Sequence, residues 1–413
     1  MNIFKPKKPE PFYGYIIVIA CFVITGVIIG AHSTFGIFLE SLLSEFGWTR
    51  AVTSGAYSLT LILEGVVGLF VGRFTDKLGP KVVMVACGIF LGLGYLLTSQ
   101  VNSLWQLYFF LGVVTGIGQS GAIIPLVSTV ARWFVKKRGT MTGIVLSGFS
   151  IGTMIIPPLT GRIIAAYDWR IAYIAVGLTV LVFVIVAAQF LRRDPSKKGL
   201  SPYGANGIVK ETMDLQTQGF SLKQAIHTKQ LWLVCVMYFL NLFTQIGILV
   251  HIVIHISGLG FSSLAATSTM AVIGGAGFAG SILIGNIADR IGNKRSLIIT
   301  FISMSIVVFG LMAAREIWII YLLIAVWSFV ITGQTVLYSP TIAELFGLRA
   351  HGAVFSVVAL IGTFGGAAGP VVLGHIFDVT SSYQLAFLLC ALVSITGFIL
   401  ALLMRPVTAN STR

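Results

Sequence analysis

Apolar runs of about 20 residues, the length that crosses a bilayer core roughly 30 Å thick, recur along nearly the whole chain. Divided at charged or turn-forming breaks, they predict helical spans near 13–38, 51–72, 82–99, 104–131, 140–166, 170–191, 231–256, 264–288, 296–314, 317–343, 352–377 and 383–404. The breaks at 101–103, 315–316 and 378–382 are short enough to be tight hairpins between antiparallel helices. One segment, 192–230, is polar, carries the run Arg192, Arg193, Asp194, Pro195, Ser196, Lys197, Lys198, and divides the chain near its middle. The expected fold is an all-α membrane protein of twelve transmembrane helices. It comprises a six-helix bundle over 1–191, a linker loop over 192–230 and a second six-helix bundle over 231–413. The first run follows Lys5, Lys7 and Lys8 but is too long for a signal-peptide core and lacks a small-residue cleavage site, so it reads as a retained span.

Composition fits this picture. Hydrophobic residues make up 56% of the 413 and charged residues 10%, where a soluble domain has roughly 45–50% and about 25%. A net charge of +14 would suggest nucleic acid in a soluble protein, but the basic residues are parcelled into short loops rather than gathered on one surface. Every Lys and Arg except Arg50, Arg162, Arg170 and Arg315 lies on the N-terminus, the loops after even-numbered spans or the C-terminus. Because positively charged loops are retained in the cytoplasm, the linker and both termini are expected there. Cys21, Cys87, Cys235 and Cys390 lie within apolar runs and form no CxxC or Cys/His cluster, which argues for packing rather than zinc or disulfides. Walker-type and His-Glu-x-x-His motifs are absent, so neither an enzyme nor a cofactor is expected. The 46 glycines suit close helix packing.

Internal repeats refine the architecture. After the second span the chain reads Gly72, Arg73, Phe74, Thr75, Asp76, Lys77, Leu78, Gly79, Pro80, Lys81; after the eighth it reads Gly285, Asn286, Ile287, Ala288, Asp289, Arg290, Ile291, Gly292, Asn293, Lys294. The Gly, Asp, basic, Gly, basic spacing is the same at an offset of 213. That offset also relates Gly152, Pro157, Gly161 and Arg162 to Gly365, Pro370, Gly374 and His375, while Gln119 and Pro125 match Gln334 and Pro340 at 215. Two parallel, pseudo-symmetric six-helix repeats are implied, an arrangement in which one half rocks against the other around a site at the midplane.

With these motifs the sequence resembles the major facilitator superfamily, whose signature is the duplicated Gly-x-x-x-Asp-[Arg/Lys]-x-Gly-x-[Arg/Lys]. Within it the chain is similar to the bacterial monocarboxylate-transporter and oxalate/formate-antiporter group. The residues carrying that likeness are Phe46 to Arg50, then Arg132, Trp133, Phe134, Arg138 and Gly139, and finally Asp168, Trp169 and Arg170. The resemblance implies a cavity lined by spans 1, 4, 7 and 10, spans 2, 5, 8 and 11 at the rocking interface, and proton-coupled or exchange transport of small carboxylates. It also implies a monomer in the bacterial cytoplasmic (inner) membrane. The chain departs from the group in lacking a basic residue between Ala265 and Ala288, where such carriers hold an Arg in the eighth span.

Several polar residues inside the apolar runs are candidates for transport chemistry. Asp76 and Asp289, beside Lys77 and Arg290 and following Gly72 and Gly285, read as conformational latches at helix ends. Glu64 forms a stripe with Tyr57 and Gly68. A carboxylate in lipid costs about 3 kcal/mol or more, so it must be protonated, paired or facing a cavity. Glu64 is thus a proton-coupling candidate, with a hydrogen bond to a neighbouring helix as the alternative. Arg162 suits an anion anchor or a side chain reaching the interface near Asp168; His375, its repeat counterpart, suits a second anion or proton site. Gln119, Gln334 and Tyr338, with Asn241 and Gln245 on one stripe with Tyr238, are substrate hydrogen-bonders or helix-packing groups. His32, His251 and His255, toward the outer ends of spans 1 and 7, read as packed or interfacial. The leading expectation is a secondary transporter for a small organic anion such as lactate or pyruvate. An exporter of apolar or aromatic compounds and a non-transporting membrane sensor are the alternatives.

Overall fold

A computed structural model describes residues 12–204, 219–347 and 349–405. Lys5, Lys7, Lys8, Lys210 and Arg413, which contribute to the loop-charge asymmetry, and the centre of the linker lie outside the described residues. Among the described residues, twelve helices are long and apolar enough to cross a membrane. They are span 1 (Gly14–Phe46), 2 (Arg50–Leu78), 3 (Pro80–Thr98), 4 (Leu104–Trp133), 5 (Gly139–Ala166), 6 (Trp169–Ala188), 7 (Lys229–Gly258), 8 (Ser263–Ile291), 9 (Asn293–Ala313), 10 (Ile317–Phe346), 11 (His351–Thr380) and 12 (Gln384–Leu403).

Three departures from the expected boundaries have local causes. Span 1 breaks at Ser33 and Thr34 and then continues to Phe46, past the predicted end at 38. Glu40, Ser44 and Glu45 lower the hydropathy there, but Leu39 and Leu42 still face the core, so the helix persists as an amphipathic extension. It stops at Gly47, whose φ of 65° is left-handed. Spans 2 and 8 likewise extend through their signature segments, taking Gly72 to Lys77 and Gly285 to Arg290 into their last turns before Gly79 (φ 85°) and Gly292 (φ 90°) end them. Span 4 is discontinuous: a π-helical stretch at Tyr108–Val114, an α-helical piece at Thr115–Gln119, a break, and a second helix from Ile124 to Trp133. Pro125, in the first turn of that second helix, offers no N–H to continue the preceding one. Its counterpart Pro340 is accommodated inside an unbroken helix in span 10.

The repeated glycines are explained by backbone contacts. A Cβ on Gly152 of span 5 would overlap the Gly26 carbonyl of span 1, and one on Gly365 of span 11 would overlap the Phe239 carbonyl of span 7. Both positions of each pair are related by the offset of 213, so the two halves repeat one helix-to-helix contact. Between the halves, Gly161 packs on Thr267 of span 8 and Gly374 on Ala51 of span 2, the two glycines again being related by 213.

These crossings locate the opening. On the face opposite the linker, hereafter the far face, Gly36 of span 1 abuts the Val250 carbonyl of span 7, and Arg50 of span 2 bonds Asp378 of span 11. Toward the linker face, Gly139, Gly143, Gly285 and Gly352, at the ends of spans 5, 8 and 11, have open space where a Cβ would stand. The two halves therefore touch from mid-span to the far face and part toward the linker. The linker itself is pinned to both halves at repeat-related places. Tyr203 N–H donates to the Trp133 carbonyl (2.9 Å) at the end of span 4, and Phe220 N–H donates to the Phe346 carbonyl (2.8 Å) at the end of span 10.

Candidate functional site

Near the middle of span 2, Glu64 is half-buried and forms no ion pair or hydrogen bond among the described residues. Its neighbour Gly65 faces Thr363 and Leu360 of span 11, so the carboxyl stands one residue from the crossing where the halves begin to separate. Tyr57, on the same stripe, is buried and stacks on His32 at 4.4 Å between ring centres.

Gln119 ends the short helical piece of span 4, is fully buried, and has both amide atoms without a partner. Gln334, at the matching place in span 10, accepts from Asn241 Nδ2 at 2.9 Å through Oε1, while its own Nε2 has no partner. Thr335 Oγ1 donates to Asn241 Oδ1 at 3.2 Å, completing a buried bridge between spans 7 and 10. A buried amide N–H without an acceptor costs about 1–3 kcal/mol, so these two donors call for a polar group from a solute or water. Tyr338 is already committed, because its hydroxyl donates to the Met237 carbonyl at 3.0 Å. Gln245, one turn beyond Asn241, is half-buried and unpaired among the described residues.

Arg162 and His375 are placed differently. Each is exposed and follows the glycine of an inter-half contact, Gly161 and Gly374, near the far ends of spans 5 and 11. Neither makes a hydrogen bond or ion pair among the described residues, and the structure does not gather them with the buried amides. Asp168 is occupied in accepting the Trp169 N–H at the start of span 6.

The two signature carboxylates also differ. Asp76 pairs with Arg132 at 2.6 Å, and Arg132 reaches Asp194 of the linker at 3.4 Å. Asp289 has no such partner among the described residues; beside it Asn293 Nδ2 donates to Glu344 at 3.0 Å. In the state described, the Asp76 contact braces the first half and its linker.

The sequence reading missed a far-face network joining the halves. Asp378 accepts the backbone N–H groups of Arg50 and Ala51, Arg50 reaches Tyr383, and Tyr383 reaches His251. The polar loop residues involved look solvated in a linear reading, and only the pairing of spans 2 and 11 brings them together.

A family profile described as Major Facilitator Superfamily matches residues 21–370. The chain belongs to the major facilitator superfamily. Among curated relatives it is 25% identical to monocarboxylate transporter 13 of Rattus norvegicus over 397 residues, covering 96% of this chain and 90% of that protein. It is 22% identical to the uncharacterized MFS-type transporter YhjX of Escherichia coli K12, covering 82% of each. Among solved structures, a bacterial homolog of the human lysosomal transporter Spinster, inward-facing and unoccupied, aligns with a TM-score of 0.72 at 14% identity. That alignment covers 96% of this chain and 98% of that one. The superfamily fold anticipated from the repeats is thus confirmed, and this chain is a multi-pass membrane transporter.

Proposed function

We propose that this superfamily member is a secondary active transporter of a small organic anion, a monocarboxylate such as lactate or pyruvate, moved together with a proton. The observation that carries the reading is the pair of repeat-related glutamines, Gln119 and Gln334, whose buried amide donors lack partners. They sit on spans that the family places around the central cavity, with Asn241, Gln245 and Tyr338 beside Gln334 and at the facing span. Donors without acceptors suit a carboxylate, which only accepts. The names of the relatives point to the same substrate class.

No Lys or Arg lies in the middle of spans 1, 4, 7, 8 or 10. An anion crossing without a fixed counter-charge is costly in a low-dielectric site, and loading a proton with it leaves the net charge of the carrier unchanged. Glu64 is the group we assign to that proton, with Arg162 and His375 as anion or proton contacts nearer the far face and Gly72, Asp76, Lys77, Gly285, Asp289 and Arg290 as the latches of the opposite state. The linker face is then cytoplasmic, in a bacterial inner membrane. Transport follows from rocking between the state described and its mirror.

The test is uptake of labelled L-lactate into proteoliposomes with an imposed inward proton gradient. The wild type accumulates lactate; Glu64→Gln loses the gradient dependence, and Gln119→Leu loses uptake. Absence of uptake of any small carboxylate at any pH refutes the anion reading. The same uncharged spans favour a second reading, export of apolar or aromatic compounds, which is distinguished by inhibition with lipophilic cations rather than with carboxylates.

A further inference from the structure

Asp378, at the end of span 11, caps span 2 from across the interface: Oδ1 accepts Arg50 N–H at 2.9 Å and Oδ2 accepts Ala51 N–H at 2.8 Å. The Arg50 guanidinium lies 3.5 Å over the Phe377 ring and donates through Nη1 to Tyr383 Oη at 2.6 Å. Tyr383 Oη is 2.9 Å from His251 Nδ1, and His251 Nε2 is 2.8 Å from the Pro370 carbonyl oxygen, with the imidazole fully buried. A carbonyl only accepts, so Nε2 carries the ring hydrogen, and Nδ1 of the neutral ring is an acceptor. Burial pushes the Tyr383 phenol up, keeping its O–H intact as the donor to Nδ1. The chain therefore runs one way, Arg50 to Tyr383 to His251 to Pro370, and it crosses from one half to the other at the Arg50 bond.

We propose that His251 is a proton-binding site whose occupancy is incompatible with closure of the far face. A proton on Nδ1 turns both ring nitrogens into donors. Tyr383 Oη then receives N–H groups from an imidazolium and a guanidinium, and its own hydrogen loses its acceptor. Among the surrounding charges the Asp378 carboxylate attracts an imidazolium, but the Arg50 guanidinium repels it more strongly. Both oxygens of Asp378 are engaged with span 2. His255, one turn along span 7, stands edge-on to Tyr383 at 5.4 Å and feels Arg315 and Arg50. Span 12 contributes Phe387, span 1 contributes the apolar contact of Gly36, and Glu40 lies at the mouth beside Arg50. When the halves part on this face, Arg50 leaves with span 2, water reaches Tyr383, and the imidazolium is hydrated. Acid on the far face thus opens the carrier to that face. With one proton involved, the open-to-closed ratio rises by at most about tenfold per pH unit.

The inference rests on the rocking motion of the proposed function but not on its substrate, and the test uses none. Spin labels at Ser44→Cys and Gly258→Cys, exposed positions of spans 1 and 7 on either side of the far-face mouth, report the separation of the halves by electron–electron dipolar spectroscopy. The expected result is a longer-distance population that grows between about pH 8 and about pH 5, the range where imidazole ordinarily titrates. His251→Gln retains a donor for Pro370 and an acceptor for Tyr383 but cannot hold the proton, and it stays at the short distance at both pH values. Tyr383→Phe removes the shared oxygen, raising the long-distance population at about pH 8 and flattening its pH response. A His251→Gln variant that follows the wild-type response, or a wild type with one distance at both pH values, overturns the proposal. Lactate uptake by unlabelled protein decides the substrate question separately.

Discussion

Replacing Asp378 by Asn is the most direct probe of how the far face is held shut. The carboxylate accepts two backbone N–H groups, those of Arg50 and Ala51, at the start of a 29-residue helix that belongs to the other half. Asn retains one acceptor oxygen, so one of the two bonds becomes neutral and the other is replaced by an amide NH₂ facing an N–H. A hydrogen bond to a charged group contributes about 1.5–3 kcal/mol against about 0.5–1.5 for a neutral one. The favourable interaction with the positive end of a helix adds about 0.3–1 kcal/mol at an exposed position. Because Asp378 is exposed, the low end of each range applies, giving a loss of about 3 kcal/mol from the far-closed state alone. The open state has no such contact to lose. The ratio of open to closed molecules therefore rises on the order of 100-fold, each 1.4 kcal/mol being a factor of ten. Dipolar distances between the labels at Ser44→Cys and Gly258→Cys read this ratio. An unchanged distribution, or a shift toward the closed distance, refutes the assignment of Asp378 as an inter-half clasp.

Other perturbations separate contacts between halves from contacts within them. Gly36→Val places a Cβ 2.6 Å from the Val250 carbonyl, disfavouring far-face closure by about 1–3 kcal/mol; the longer-distance population of the Ser44→Cys and Gly258→Cys label pair should grow. Gly152→Ala meets the Gly26 carbonyl inside the first half, so it should lower the melting temperature in detergent, with a stability loss of about 1–3 kcal/mol. Asn241→Ala strips Gln334 Oε1 of its donor in a buried site and should destabilise by about 1–3 kcal/mol, seen in the same melts. Asp76→Asn breaks a pair whose side chains are 38% and 60% exposed; the change in melting stability should stay within about 1 kcal/mol.

The fold was legible because its strongest signals are local or periodic. Span lengths follow from apolar runs, and the two halves follow from residues such as Gly152 and Gly365, whose identity is dictated by a neighbouring carbonyl and so recurs wherever the contact recurs. The break in span 4 was not legible, since Pro125 and Pro340 occupy matching positions and only the former lies at an interruption. The site was read in part. Gln119 and Gln334 were found as polar residues in apolar runs, and the structure adds that their amide donors are unpaired. Arg162 and His375 are counterparts at the offset of 213, yet a linear pattern gives no depth, and both stand exposed beside far-face contacts. The role of His251 is invisible in a linear pattern because it depends on Tyr383, 132 residues away.

The chemistry of the contacts assigns the two kinds of interface different mechanical duties. Within each half, the glycine-to-carbonyl contacts of spans 1 with 5 and 7 with 11 allow no slack, because backbone meets backbone over the length where Cβ atoms are missing. Each half is therefore built to move as a unit in the proposed rocking. Between the halves the packing is graded. Near mid-span, Gly274 of span 8 presents no side chain where the Ser150 carbonyl and Met154 N–H of span 5 approach to 2.5 Å of a notional Cβ, while Gly65 meets Thr363 at an ordinary 3.4 Å. Toward the far face directional bonds, the Asp378 cap and the Arg50–Tyr383 bond, join the steric contacts of Gly36 and Gly374. A rotation about mid-span costs the mid-span steric contacts little, since they lie close to its axis, but it breaks every directional bond at the rim. Much of the energy of closure thus resides at the rim, where titration and charge can change it.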